Sequence, residues 1–391
     1  MKKYLALLLA SIMILAMLAG CNNTPANSDG DADEDVDVVV DVVKVGVLAP
    51  LTGNVAVYGT ASANGTKLAA KEINAAGGIN GMMIELDVLD EKGDVTEAMN
   101  AYNLLIERGI NALIGDVTSK PCIAVAELAL EDGILMITPT GTSADITLIG
   151  DNIFRTCFID PTQGKVMATF ASENLEVTKV AALYNTSDDY SVGCADAFKA
   201  KAEELGLEVV DYLGYGATDQ DYKTQLTTIM QNGAEAVFCP DYYNTVSLIT
   251  VQARELGYEG ALLGADGWDG VIGATPADKI SALNNCFFAN HYSTEDTAEV
   301  VVNFLAAYKA EYNEEANSFA ALGYDSMYIL KAAIEKAGTL DSDALVAAMN
   351  EISIECVTGT ISFDANGDPI KGVAITEIKD GANTLFTKVT G

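Results

Sequence analysis

The chain has 391 residues, half of them hydrophobic, which is enough apolar material for one large or two medium cores and too much for a disordered protein. Its 56 acidic against 22 basic residues give a formal net charge of −34. That argues against a nucleic-acid partner, because phosphate binding needs clustered Lys and Arg, and points instead to solubility and self-repulsion.

The N-terminus reads as a targeting segment. Lys2 and Lys3 precede the apolar run "YLALLLASIMILAML", which is short for a membrane span, and "LAGC" closes it at Cys21. Leu18-Ala19-Gly20-Cys21 resembles the lipobox of bacterial lipoproteins, which implies cleavage before Cys21 and lipidation of its sulfur; more than one acyl chain makes a stable anchor. Residues 1–20 are then a signal peptide. Residues 21–42, polar and then strongly acidic, form a solvated tether that cannot bury a core. Asp29, Asp31 and Asp33 alternate as in a calcium loop, but the Gly and closing Glu of that pattern are missing.

From Val43 onward short apolar runs alternate with helical patterns: "VKVGVL", "GTKLAAKEINAAGG", "MIELDVLD", "DVTEAMNAYNLLIERG", "ALIG", "PCIAVAELALEDG" and "ILMIT". Asp94 with Glu97 predicts a capping-box start, and Gly109 is placed to end the same helix. The rhythm resumes after "FRTCFIDPTQG" with "VAALYN", "VGCADAFKAKAEELG", "EVVDYLGYG", "YKTQLTTIMQNG", "AVFCPDYY" and "ALLGADG". Continuous apolar strands between helices predict two α/β halves, each a parallel sheet covered on both faces.

In open α/β sheets ligands sit beyond the carboxyl ends of the strands, so each strand-end loop is informative. "ALIGDVTSKPC" enters a helix with Ser119 near the cap and Pro121 at a plausible first position. "ILMITPTGTSADIT" runs from an apolar strand into a hydroxyl cluster, where Thr140, Gly141 and Thr142 offer backbone N–H groups and a hydroxyl. Together these loops could hold a carboxylate without a formal positive charge, or Ser119 and Thr142 could simply cap their own helices. The second half places Tyr190, Tyr242, Tyr243 and Asp266 after its strands. An acid with aromatic faces suits an ammonium group, although loop tyrosines often only pack and loop acids are often solvated. Donors for a carboxylate in one half facing an acid in the other would define an α-amino acid site.

The six remaining cysteines, Cys122, Cys157, Cys194, Cys239, Cys286 and Cys356, show no CxxC; buried free thiols are the default reading, and the even count permits disulfides without demanding them. The single histidine, His291, reads as a crossover or core residue. The sequence offers no nucleophile elbow, metal-spaced His/Cys/Glu set or phosphate-cradling glycine motif, so neither an enzyme nor a cofactor is expected.

"VGVLAPLTGNVAVYG", "AAKEINAAGGINGMMIELDVLDEKGD", "GILMITPTGT", "RTCFIDPTQG" and "FAALGYDSMYILKAAIEKAG", in this order, resemble the leucine/isoleucine/valine-binding proteins, extracytoplasmic solute receptors of ABC importers. The resemblance runs from about Val43 to the C-terminus. It implies a type I periplasmic-binding-protein fold: two Rossmann-like lobes with parallel sheets, residues 43–159 with 291–373 and 160–290 with 374–391, joined by a three-segment hinge near Asp160, His291 and Gly372. It also implies that Ser119, the Thr140 main chain and Thr142 bind the ligand carboxylate, that Tyr190 and Tyr242 line the second lobe, that Asp266 pairs with the ammonium, and that Tyr58 and Phe319 line the side-chain pocket.

Four departures bear on the ligand. Asp266 stands where relatives often have Glu, and Gly93 and Thr118 stand where Gram-negative relatives have a disulfide. Lys120 could snorkel outward or admit an acidic ligand, and Trp268 could narrow the pocket or cover its rim. Asp269, three residues beyond Asp266, is expected to tolerate substitution. The implied function is capture of a free amino acid, branched-chain or related, by a monomeric, lipid-anchored protein on the extracytoplasmic face of the cell membrane, for delivery to a permease. A ligand-sensing module, or a binder of another small carboxylate or amide, is the alternative.

Overall fold

The computed structural model describes residues 42–389; the signal segment, Cys21 and the tether up to residue 41 lie outside the described residues. The first run comprises β1 (Val42–Ala49), α1 (Ala56–Ala75), β2 (Met83–Asp90), α2 (Val95–Glu107), β3 (Ala112–Ile114), α3 (Ser119–Asp132), β4 (Leu135–Thr138) and β5 (Ile153–Arg155). Its five strands form one all-parallel sheet in the order β2-β1-β3-β4-β5. The second run is α4 (Asp160–Glu173), β6 (Lys179–Asn185), α5 (Asp189–Glu204), β7 (Glu208–Tyr215), α6 (Lys223–Gln231), β8 (Ala236–Phe238), α7 (Tyr243–Glu255), β9 (Ala261–Gly264), α8 (Val271–Ala274) and β10 (Cys286–Asn290). Then come α9 (Glu299–Tyr312), α10 (Ser318–Ala337), α11 (Ser342–Met349), the hairpin β11 (Ser353–Cys356) and β12 (Gly359–Ser362), and finally β13 (Val373–Lys379) and β14 (Ala382–Val389).

The second sheet has the order β7-β6-β8-β9-β10-β13-β14. Its first five strands are parallel and repeat the arrangement of the first sheet, whereas β13 and β14 are antiparallel. The parallel sheets expected from the sequence are present, and the second carries two further strands at one edge. The β13–β14 pair is antiparallel because a hairpin at Asp380 and Gly381 joins the two strands.

The inner strands are apolar on both sides because both sides are covered. In the first sheet Val43, Val45, Ile114 and Ile137 meet Met327, Leu330 and Ile334 of α10, while Leu48, Leu113 and Met136 meet Tyr102 and Leu105 of α2 and Val125 and Ala129 of α3. In the second sheet successive residues of β6 point to opposite faces. Val180 and Ala182 pack with Met167, Phe170 and Phe198, and Ala181 and Leu183 with Leu226, Ile229, Val246 and Ile249.

The chain passes between the sheets three times, after β5, after β10 and before β13. At the first passage the Asp160 N–H donates to Thr142 O at 2.9 Å. Helices α1 and α10 touch backbone to backbone: a Cβ on Gly65 would fall 1.9 Å from Ala320 O, and one on Gly323 2.1 Å from Ser62 O. This contact sets the spacing of Tyr58 and Phe319, near the starts of the two helices.

Candidate functional site

In the order 2-1-3-4-5 the direction of strand succession reverses between the first and third strands, and the crevice beyond that point is the ordinary place for a ligand. The first sheet reverses between β1 and β3, the second between β6 and β8. The segments after β1, β3 and β4 carry Tyr58, Ser119 and the pair Thr140 and Thr142. Those after the equivalent strands β6, β8 and β9 carry Tyr190, Tyr242 and Asp266. With Phe319, Val117, Thr118 and Gly267 these residues line one narrow cavity. The structure thus brings together eight of the nine residues expected around the ligand.

The ninth, Gly141, turns away. Its N–H donates to Thr138 Oγ1 at 2.8 Å, and its carbonyl accepts from Arg155 Nη1 at 2.7 Å. Sequence reading placed no cation near this loop, but the fully buried Arg155 braces it from behind, donating to Ser143 O at 2.8 Å and pairing with Asp368 at 2.6 Å. Because a trans peptide points its C=O and the next N–H in opposite directions, pinning Gly141 O on Arg155 aims the Thr142 N–H away from the guanidinium. The positive charge organises the loop without lining the cavity.

At the neighbouring loop Thr118 is the N-cap of α3 and Ser119 its first residue, so Pro121 falls at the third helical position and not the first. The two loops are stitched together. Thr138 Oγ1 donates to Asp116 O at 2.6 Å, Thr140 Oγ1 to Val117 O at 2.7 Å, and the Ser143 N–H to Ser119 Oγ at 3.2 Å. Lys120 is exposed and outside the cavity, which removes it as a ligand contact.

Across the cavity Asp266 opens a single 3₁₀ turn, Asp266–Trp268. Its N–H donates to Gln163 Oε1 at 2.7 Å, and its Oδ2 lies 3.1 Å from His291 Nε2. His291 stacks on Phe158 with ring centroids 3.7 Å apart. Burial lowers its pKa to about 4, against the favourable bond to Asp266, so at neutral pH the ring is an uncharged donor. Sequence reading left His291 as a crossover or core residue; it is at the crossover and is also the partner of the cleft acid. Twenty-five residues separate the two, and no sequence signal joins them.

Four rings form the apolar wall. Tyr58 stacks on Phe319 at 4.1 Å and meets Tyr242 at 5.8 Å, and Tyr242 stacks on Tyr190 at 5.3 Å. Tyr58 Oη also donates to Gly267 O at 2.5 Å and accepts from the Tyr243 N–H at 2.9 Å, bridging the two sheets' loops. Tyr190 Oη accepts from the Gly267 N–H at 2.9 Å, which fixes the turn carrying Asp266.

Two expectations on that turn are corrected. Trp268 is fully buried, with Nε1 donating to Cys239 O at 2.8 Å, and does not line the cavity. Asp269 is buried, and its Oδ2 accepts from the Ser318 N–H at the start of α10 at 2.8 Å and from Asn290 Nδ2 at 3.3 Å, so it is no bystander. All six described cysteines are free and buried. No group of three or more His, Cys, Asp or Glu suited to a metal occurs among the described residues.

The fold and this cleft have counterparts among known proteins. Residues 42–383 match a family model described as periplasmic binding protein. A Leu/Ile/Val-binding protein homolog of Brucella melitensis is 33% identical over 333 residues, which is 83% of this chain and 88% of that protein. The crystal structure of a leucine-binding protein, LivK, from Thermotoga maritima has a TM-score of 0.84 at 33% identity, covering 89% of this chain and 99% of that one. The branched-chain amino acid transporter substrate-binding protein LivJ of Streptococcus pneumoniae, solved in complex with isoleucine, has a TM-score of 0.83 at 32% identity over 90% and 99% of the two chains. The chain belongs to the periplasmic binding protein family and has the architecture of its leucine- and branched-chain amino acid-binding members.

Proposed function

We propose that this protein captures a free α-amino acid, branched-chain or related, between its two sheets and delivers it to the permease of an ABC importer. One observation carries the reading: a buried acid, Asp266, shares with Thr118, Ser119, Thr140 and Thr142 one cavity whose lining, among the described residues, contains no Lys or Arg. A zwitterion answers both sides at once, and the aromatic wall of Tyr58, Phe319, Tyr242 and Tyr190 suits an apolar side chain. The similarity to the isoleucine-bound LivJ supports the same class. The family is one of solute receptors, and catalysis is no part of the reading.

On this reading residues 43–159 with 291–373 and residues 160–290 with 374–391 are lobes that close over the ligand as a hinge, and Cys21 anchors the chain on the outer face of the membrane. A thermal-shift screen of residues 43–391 against the amino acids and matched carboxylates lacking the amine tests the ligand class. A ligand at 100 times its dissociation constant adds about 2.7 kcal/mol. Stabilisation by the amine-free acids equal to that by amino acids would overturn the α-amino acid reading in favour of a carboxylate receptor. Fractionation of Cys21→Ser tests the anchor: the variant should leave the membrane fraction.

A further inference from the structure

Two carboxyl groups lie buried beneath the carboxylate-side loops, away from the cavity lining. Glu91 follows β2, Asp116 follows β3, and both are fully shielded from solvent. Each has one oxygen satisfied. Glu91 Oε2 accepts from the N–H groups of Gly93 at 2.7 Å and Asp94 at 3.2 Å, and Asp116 Oδ1 accepts from the Val117 N–H at 2.5 Å. The other oxygen of each, Glu91 Oε1 and Asp116 Oδ2, is buried without a donor, and the two side chains lie close enough that each shifts the other's proton affinity. Two orphaned acceptors side by side become a matched pair if one proton lies between them.

Among the described residues no cation faces them. On the Glu91 loop, Asp90 is engaged by the Leu51 and Thr52 amides and the Thr52 hydroxyl, and Lys92 pairs with Glu97 of α2. Asp94 caps α2 through the Thr96 and Glu97 amides. From α3 comes the Cys122 thiol, pushed up to about 12 by burial and by Asp116. Arg155 is held by Asp368, Thr147 and the loop carbonyls. Two buried like charges in contact without a counterion cannot both be ionised.

We propose that Glu91 and Asp116 share one proton and that this carboxyl–carboxylate bond positions the Val117–Ser119 segment for the ligand. Asp116 lies at the root of the segment: its own carbonyl accepts from Thr138, the next carbonyl from Thr140, and Ser119 Oγ accepts from Ser143. Losing the proton sets two buried carboxylates against each other at the base of both loops that face a ligand carboxylate. Binding then weakens as pH rises through neutrality. Burial raises both groups, Glu91 to about 7, in keeping with that window. The role assigned to the segment rests on the proposed function; the shared proton does not.

The test has a ligand-free and a ligand-bound arm, on wild type, Glu91→Gln, Asp116→Asn and the Glu91→Ala/Asp116→Ala double variant. Without ligand, wild type should lose thermal stability between pH 5 and 7.5 relative to Glu91→Gln and Asp116→Asn, in which an amide N–H replaces the shared proton and does not titrate. Identical pH slopes in all three would overturn the shared proton. With L-isoleucine and L-alanine as probes, wild-type affinity should fall at least tenfold from pH 6 to 8.5. Glu91→Gln should stay within threefold, a comparison that cancels titration of the probe's own ammonium. The double alanine variant should bind weakly at both pH values. A wild-type affinity independent of pH over this range would overturn the positioning role. If wild type binds neither these probes nor any other amino acid, the proposed function fails, while the ligand-free arm still decides the proton.

Discussion

His291 Nε2 meets Asp266 Oδ2 at 3.1 Å in a spot closed to bulk water, with the imidazole laid flat on Phe158. Since burial keeps the ring neutral near pH 7, it orients the carboxylate without adding a positive charge, and an incoming ammonium meets no competing cation. Asp266→Ala removes one member of the resulting pair and leaves the ligand's charge uncompensated, which costs about 2–5 kcal/mol, or roughly 30-fold to several thousandfold in affinity. Calorimetry with an unchanged circular dichroism spectrum checks this. A loss within about threefold would show that Asp266 does not hold an ammonium.

The same contact has a signature in acid. The folded pKa of His291, about 4, lies below the ordinary imidazole value of 6.5, so as pH falls the unfolded chain takes up the proton first. The contribution of His291 to stability is intact above about 6.5 and is lost as pH falls toward about 4, by up to roughly 1.4 kcal/mol per pH unit. Buried carboxyls such as Glu91 change in the opposite sense, so the measurable quantity is a difference. Between pH 6.5 and 4.5, chemical denaturation should show wild type losing stability relative to His291→Asn. Parallel curves would contradict a buried neutral histidine.

Asp269 joins the turn after β9 to the first amide of α10, a helix that packs on the other sheet. Its removal leaves a helix-terminal N–H without an acceptor, a loss of about 0.5–2 kcal/mol by analogy with N-caps. The contact links groups from both sheets, so the closed arrangement bears the loss. Asp269→Ala should therefore weaken ligand binding by about 2- to 30-fold, measured by calorimetry. Wild-type affinity in this variant would return Asp269 to the bystander role read from the sequence.

Tyr58→Phe keeps the ring against Phe319 and deletes the hydroxyl that contacts Gly267 O and the Tyr243 N–H. Two hydrogen bonds at about 0.5–1.5 kcal/mol each correspond to roughly 5- to 150-fold in affinity. On the proposed function these bonds hold the cleft shut, so the change should show in the dissociation rate by stopped flow, with little change in the association rate. An unaltered dissociation rate would mean that the bridge plays no part in retaining ligand.

What could be read from the sequence was what is local. Apolar runs between helical patterns mark β1, β3, β4, β6, β8 and β9 because a strand buried on both faces is apolar throughout, and the edge strands β2 and β7 keep enough apolar residues to be read beside them. Tyr58, Ser119, Thr140, Tyr190, Tyr242 and Asp266 stand out because each follows such a run at a turn, and Asp94 caps α2 through its own neighbours. The failures are tertiary. Gly141 looked like a donor, but the side of a peptide that faces a ligand is set by Arg155, fourteen residues on. Trp268 looked like a rim residue because proximity in sequence to Asp266 says nothing about which way a 3₁₀ turn rolls its third side chain. Neither the His291 contact with Asp266 nor the Asp269 contact with Ser318 has a sequence spacing that distinguishes it. Glu91 and Asp116 are two of 56 acids, with no sequence feature that sets them apart; their burial is visible only in the fold.

The close approach of α1 and α10 through Gly65 and Gly323 makes these two helices one plate. Tyr58 and Phe319 ride on that plate, both on the first-sheet side, so their stacked rings do not depend on closure for their alignment. On the proposed function, a solute would meet this finished apolar surface before the lobes close. Discrimination by side-chain shape then belongs to the encounter, whereas the charge of Asp266, coming from the other side, acts as the later check on whether the captured molecule stays.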